Sequence, residues 1–174
     1  MLKYPLMVKD GKNNGFLKVF HSPTLGEMEI SDVVKNVLVF LAADKNSRYK
    51  VIIGTDSERY NEHFADFVSA VVVHRQGKGG VYFWTRGCRN DIHTLRQRMW
   101  EEANYSLLLA QRMINEFVTR KMSPLQLEIH VDIGTGGDTR EMISEIVGMI
   151  RGNGFECKTK PEAFGASNVA DRHT

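Results

Sequence analysis

The sequence holds only two cysteines, Cys88 and Cys157, far apart and outside any CxxC pairing. This scarcity excludes a disulfide framework and a cysteine-built zinc site, and it fits reduced thiols in a cytoplasmic chain. Charge of one sign is not in excess either: 23 Lys and Arg stand against 21 Asp and Glu, a net charge of +2. Overall basicity therefore announces no polyanionic partner, and any such surface has to be local. No apolar run approaches the roughly 20 residues that a membrane helix needs. Met1 to Gly15 carries Lys3, Lys9, Asp10 and Lys12 and lacks the apolar core of a signal peptide. Internal repeats and low-complexity tracts are missing as well. The expected location is the cytoplasm, with no membrane contact.

What is present is ordinary globular composition, with 42% hydrophobic and 25% charged residues in 174. That length suits one domain with a real core. Residues 1–30 carry a polar Gly11 to Gly15 turn, a short apolar Phe16 to Phe20 run and the Ser22-Pro23 turn signal, and read as an arm packed on a body of residues 31–174. Ser31 is placed to cap a helix whose apolar positions are Val33, Val34, Val37, Leu38, Phe40 and Leu41. Tyr49 to Ile53 reads as a buried strand running into Gly54-Thr55-Asp56-Ser57. Phe67 to Val73 and Val81 to Thr85 follow as strands across the Gln76 to Gly80 loop, so the three form an antiparallel meander. Asp91 is the expected cap of a long helix to about Arg120, with Leu95, Met99, Ala103, Ala110, Met113, Ile114 and Phe117 on one face. Leu125 to Ile133 is a fourth strand, Asp138 to Ile150 a helix, Phe155 to Thr159 a fifth strand, and a last helix opens near Phe164 or Gly165. The expectation is α/β: a five-stranded mixed sheet, three antiparallel strands then two parallel, flanked by helices.

Four acidic residues fall where this order brings element ends together. Asp56 interrupts the first strand after Gly54, and Asp132 comes late in the fourth, so neighbouring strands would bring the two carboxylates close. Such a pair repels unless a proton or cation resolves the charge, and magnesium is the hard, oxygen-seeking choice. At 100° per residue Glu102 lies on the flank of the helix's apolar stripe, whereas Glu101 points towards water. Asp171 lies in the final helix. Taken singly, Asp56 and Asp132 serve a turn as well as a metal, Glu102 serves a solvated helix face, and Asp171 serves a surface salt bridge. Their joint placement is what points to chemistry.

Other residues carry weaker signals. His130 shares a strand face with Asp132 and either tunes the site or is a satisfied structural histidine. The Gly134 to Thr139 loop matches no phosphate-binding fingerprint and reads as a glycine loop with Asp138 as cap. Arg75, Lys78, Lys160 and Arg172 are the nucleic-acid-binding candidates, with Arg86, Arg89 and Lys158 beside them; ordinary solvated charge is the competing reading. Tyr82 and Trp84 alternate on the third strand, either as base-stacking groups or, more simply, as packing.

Together, Gly54-Thr55-Asp56-Ser57, Val71-Val72-Val73-His74-Arg75 with its Gly77-Lys78-Gly79-Gly80 loop, His130-Val131-Asp132-Ile133-Gly134, Val147-Gly148-Met149-Ile150, Lys160-Pro161 and Ala166-Ser167-Asn168-Val169-Ala170-Asp171-Arg172 resemble the YkuK-type family of the ribonuclease H-like superfamily. The likeness runs from about Gly15 to the end. It implies the ribonuclease H-like fold, and by analogy Asp56 and Asp132 as first- and fourth-strand aspartates, Glu102 as the long-helix glutamate and Asp171 as the last-helix acid. The expectation that follows is a nuclease cleaving RNA, DNA or a hybrid with magnesium or manganese, two ions about 4 Å apart. The alternative is a non-catalytic domain of the same fold that binds nucleic acid or protein. An actin-like ATP-binding enzyme is set aside, because it needs two such domains. Oligomeric state is left open.

Overall fold

The computed structural model describes residues 16–59, 63–122, 125–133, 140–163 and 165–173. The elements run β1 (Phe20–Ser22), β2 (Gly26–Met28), α1 (Ile30–Ala42), β3 (Tyr49–Arg59), β4 (Phe64–Arg75), β5 (Gly80–Asn90), α2 (Leu95–Thr119), β6 (Leu127–Val131), α3 (Arg140–Gly152), β7 (Glu156–Thr159) and α4 (Gly165–Asp171). They build one sheet in the order β2-β1-β5-β4-β3-β6-β7. β3, β4 and β5 pair antiparallel, and β6 and β7 join parallel on the other side of β3, as expected.

The sheet has seven strands rather than five. The segment before α1 adds a small hairpin, β1 against β2, which meets β5 through His21 opposite Trp84. Apolar anchoring draws it in: Phe16, Leu17 and Phe20 are buried, and the Phe16 ring lies where a Cβ on Gly87 would stand. Strands of three residues are too short to show a two-residue period in sequence.

Alternation along β3 sorts the two faces. Val51 and Ile53, with Phe67, Val71 and Val73 of β4, belong to the main core with α1, α2 and α3. Gly54 and Asp56 lie on the opposite face, where α4 packs Ala170 against Val68 and Ala70. Each fully buried large side chain of the main core, such as Phe67, Met113 or Phe117, contributes about 1.5–3 kcal/mol by leaving water. Gly54 is required by close approach. A Cβ there would stand 2.8 Å from the Ala166 Cβ and 3.0 Å from the His130 carbonyl oxygen.

Helix starts differ from the sequence expectations. Glu29, in extended conformation, is the N-cap of α1, and its carbonyl accepts from the Asp32 and Val33 amides, so Ser31 lies inside the first turn. Thr94, not Asp91, caps α2: its Oγ1 accepts from the Gln97 amide at 3.0 Å, in a Thr-x-x-Gln spacing. Asp91 instead takes a left-handed backbone, φ 72°, in the turn leading in. Leu95 is 54% exposed, because the first turn of α2 projects past the core it was assigned to. Residues 134–139, with the Gly134 to Thr139 loop and Asp138, lie outside the described residues. Among the described residues no helix is long and apolar enough to cross a membrane.

Candidate functional site

β3 and β6 are paired only as far as Gly54 opposite His130. Beyond that rung β3 continues to Arg59 with β4, while β6 ends at Val131. Asp56 and Asp132 therefore each lie two residues past the last shared rung, level with one another and on the same face. Adjacent strands are about 4.8 Å apart. α4 covers that face and ends at Asp171. From the opposite face α2 brings in Glu102, which is only 6% exposed; Ser57 Oγ donates to Glu102 Oε1 at 2.5 Å.

Their electrostatics show that these groups are neighbours. Burial raises the Asp56 carboxyl above the ordinary carboxylate range, and the charges of Asp171 and Asp132 push it the same way; the Ser57 amide and Arg98 resist. Burial drives Glu102 up to about 8, with Asp56 and Asp132 adding to it, against the Ser57 hydroxyl and Arg98. Asp132, at the end of β6, and Asp171 of α4 thus bear on Asp56, and Asp56 and Asp132 bear on Glu102 of α2. Crowded, half-dehydrated carboxylates favour a proton or a cation among them.

The donor set suits magnesium or manganese in kind, being all carboxylate oxygen. Among the described residues, however, no three acidic or imidazole groups already surround one point as metal ligands would. Glu102 and Asp132 are held by other partners. Ser57 engages Glu102, and the Lys160 ammonium sits on Asp132 Oδ1, a buried oxygen with no other hydrogen bond among the described residues. Asp56, and Glu102 once its Ser57 contact is exchanged, are the carboxylates that would hold an ion, with Asp132 already engaged by Lys160.

The remaining sequence candidates divide. Lys160 is at the centre, through Asp132, and Arg172 is exposed immediately after Asp171. Arg75 and Lys78 are not brought there. Arg75 stands opposite Tyr49, at the far end of β3, roughly 23 Å along the strand from Asp56. Its guanidinium lies 4.4 Å from the centre of the Phe40 ring, while Lys78 binds Asp44 at 2.9 Å. His130 is buried, with Nε2 3.3 Å from Glu128 Oε2; burial holds its pKa down, though Glu128 opposes this. Lys50 completes that group at 3.0 Å from Glu128. Arg86 contacts Asp66, and Lys158 binds Glu156 at 3.0 Å. Arg89 lies 2.5 Å from Glu101, so Glu101 is ion-paired and only 16% exposed rather than turned to water. Trp84 is stacked on both sides, by His21 at 4.4 Å and His173 at 4.3 Å, on the face α4 covers.

Two residues at the centre were not singled out from sequence. Arg98 Nη1 donates to the Ser57 carbonyl at 3.2 Å, and Ser57 holds Glu102. The available signal was the i,i+4 spacing of Arg98 and Glu102, together with strand alternation that turns Ser57 towards α2.

Residues 32–174 match the family model described as Ribonuclease H-like. A Bacillus subtilis (strain 168) protein named Uncharacterized protein YkuK is 31% identical, across 90% of this chain and 96% of its own length. With a mixed sheet in the order found here and these two matches, the chain belongs to the ribonuclease H-like family and is a relative of YkuK.

Proposed function

We propose that this chain is a divalent-metal-dependent nuclease that hydrolyses phosphodiester bonds in RNA, DNA or a hybrid. The observation that carries the reading is the grouping around Asp56 of acids from three other elements, where burial first and carboxylate repulsion second raise Asp56 and Glu102. Bound magnesium or manganese supplies Lewis acidity and an activated water. The chain's own part is to hold and aim. Asp56 is central, the charges of Asp132 and Asp171 bear on it, and Glu102 comes from α2 on the other face of the sheet. Ser57 fixes the Glu102 carboxyl, and Arg98 fixes the Ser57 carbonyl. Glu102 would hold an ion as its carboxylate, with the ion's charge offsetting the burial that otherwise favours the protonated form. Arg172, exposed immediately after Asp171, supplies positive charge for a phosphate backbone next to the acids. The free cysteines Cys88 and Cys157 suit work in the cytoplasm.

The test uses labelled RNA, DNA and hybrid duplexes with the purified chain and magnesium or manganese. The wild type cleaves at least one substrate, and Asp56→Asn folds normally and does not. Equal cleavage by the variant would remove the acids from the chemistry. A second reading, binding without cleavage, is favoured by the Lys160 contact on Asp132 and by carboxylates not yet gathered as ligands. Under that reading no substrate is cut, and manganese leaves the melting temperature unchanged.

A further inference from the structure

The Lys160 contact lies where a second ion would need an oxygen. Val131 opposite Thr159 is the last rung between β6 and β7, so Asp132 and Lys160 are the next residues on neighbouring parallel strands. Backbone register therefore sets the lysine beside the aspartate. A turn fixes the segment directly afterwards, with the Glu162 and Ala163 amides donating to the Thr159 carbonyl at 2.9 and 3.0 Å. The ammonium reaches Asp132 Oδ1, which is sealed from water and has no other hydrogen bond among the described residues. The side chain is still 55% exposed along its length, so its stem is not buried in place. Asp56 acts on the same ammonium through space.

We infer that Lys160 is a built-in cation that occupies the Asp132 side of the carboxylate centre, so that the chain takes up one divalent ion rather than two. This rests on the metal-centre reading above. Asp56 and Glu102 would then be left to hold the single ion. A second ion on Asp132 would have to displace a positive charge from a buried oxygen and sit beside the first. Two divalent ions about 4 Å apart repel strongly enough that their carboxylates must neutralise both. With Asp132 already neutralised by lysine, that condition is not met. Lys160 is on this account a positioning residue, holding Asp132 for the substrate side of the site without itself reacting.

The experiment counts ions and needs no turnover. Manganese is titrated into the metal-free chain and bound ions are counted by calorimetry and by loss of the free-ion electron paramagnetic resonance signal. The wild type binds one ion per chain. Lys160→Met binds two, a doubling, and Lys160→Arg, which keeps the charge, binds one. Circular dichroism matching the wild type verifies folding, as expected for an exposed side chain. Two ions in the wild type, or one in Lys160→Met, overturn the inference and leave the metal centre standing. No uptake by either protein overturns the metal centre, and the inference with it.

Discussion

Glutamine at position 102 keeps the shape of the glutamate and removes its charge, which makes Glu102→Gln the sharpest test of the buried carboxyl. In the folded chain Glu102 titrates at about 8, against an ordinary 4.5. Between those values the folded chain holds a proton that the unfolded chain has released. Stability therefore falls as pH rises through this window, by up to about 1.4 kcal/mol per pH unit. The effect is fully developed above pH 8 and absent well below 4.5. Its ceiling is about 5 kcal/mol, with about 3 kcal/mol already present at pH 7. Burial and the charges of Asp56 and Asp132 are the source. Glutamine can still accept from the Ser57 hydroxyl, so packing and the short contact are kept. Urea unfolding in a chelating buffer at pH 5, 6, 7 and 8 should show the variant gaining on the wild type by about 3 kcal/mol across the series. Asp56 is raised too, so both proteins lose some stability with pH; the difference between them isolates Glu102. Curves that stay parallel from pH 5 to 8 would refute the reasoning, because the buried carboxyl would then have no special proton affinity.

Three further outcomes follow. Asp56→Asn removes the charge that Asp171 and Asp132 repel, so the metal-free variant should melt higher than the wild type at pH 8 while losing cleavage; a lower melting temperature would contradict the repulsion. Gly54→Ala places a methyl 2.8 Å from Ala166 and should cost about 1–3 kcal/mol by lifting α4, whereas Gly148→Ala, with nothing within 4 Å, should be neutral or slightly stabilising in the same thermal assay. Thr94→Ala removes the acceptor for the Gln97 amide and should lower unfolding free energy by about 1 kcal/mol, with Thr94→Ser restoring most of it.

The parts of the site readable in sequence were those fixed by phase and order. Parallel strands start from the same edge, so an aspartate near the end of one meets an aspartate near the end of its neighbour; Asp56 and Asp132 needed nothing more. Glu102 followed from its angle to the apolar stripe of α2. Asp171 followed from element order, which sets a last helix at the same place, and family likeness added its role; a short terminal helix has little periodicity to read. What escaped depends on contacts across the fold. The Glu101 pairing with Arg89 joins α2 to β5, and no local pattern encodes it. The hairpin before α1 consists of three-residue strands held by three apolar anchors, which look like any apolar arm. Arg75 and Lys78 were grouped with the acids although the antiparallel register sets Arg75 opposite Tyr49; composition offered a basic residue, and pairing decided which end it occupied. Ser57 and Arg98 drew no attention because their part is to hold other side chains, a role that spacing alone does not advertise.

The four acids come from positions 56, 102, 132 and 171, so the cluster draws on elements from β3 to the last helix. Such a centre has no local precursor. It is complete only when α4 has settled on the Gly54 face. Local opening of that one seven-residue helix would withdraw the fourth acid while the antiparallel meander and the long helix kept their packing.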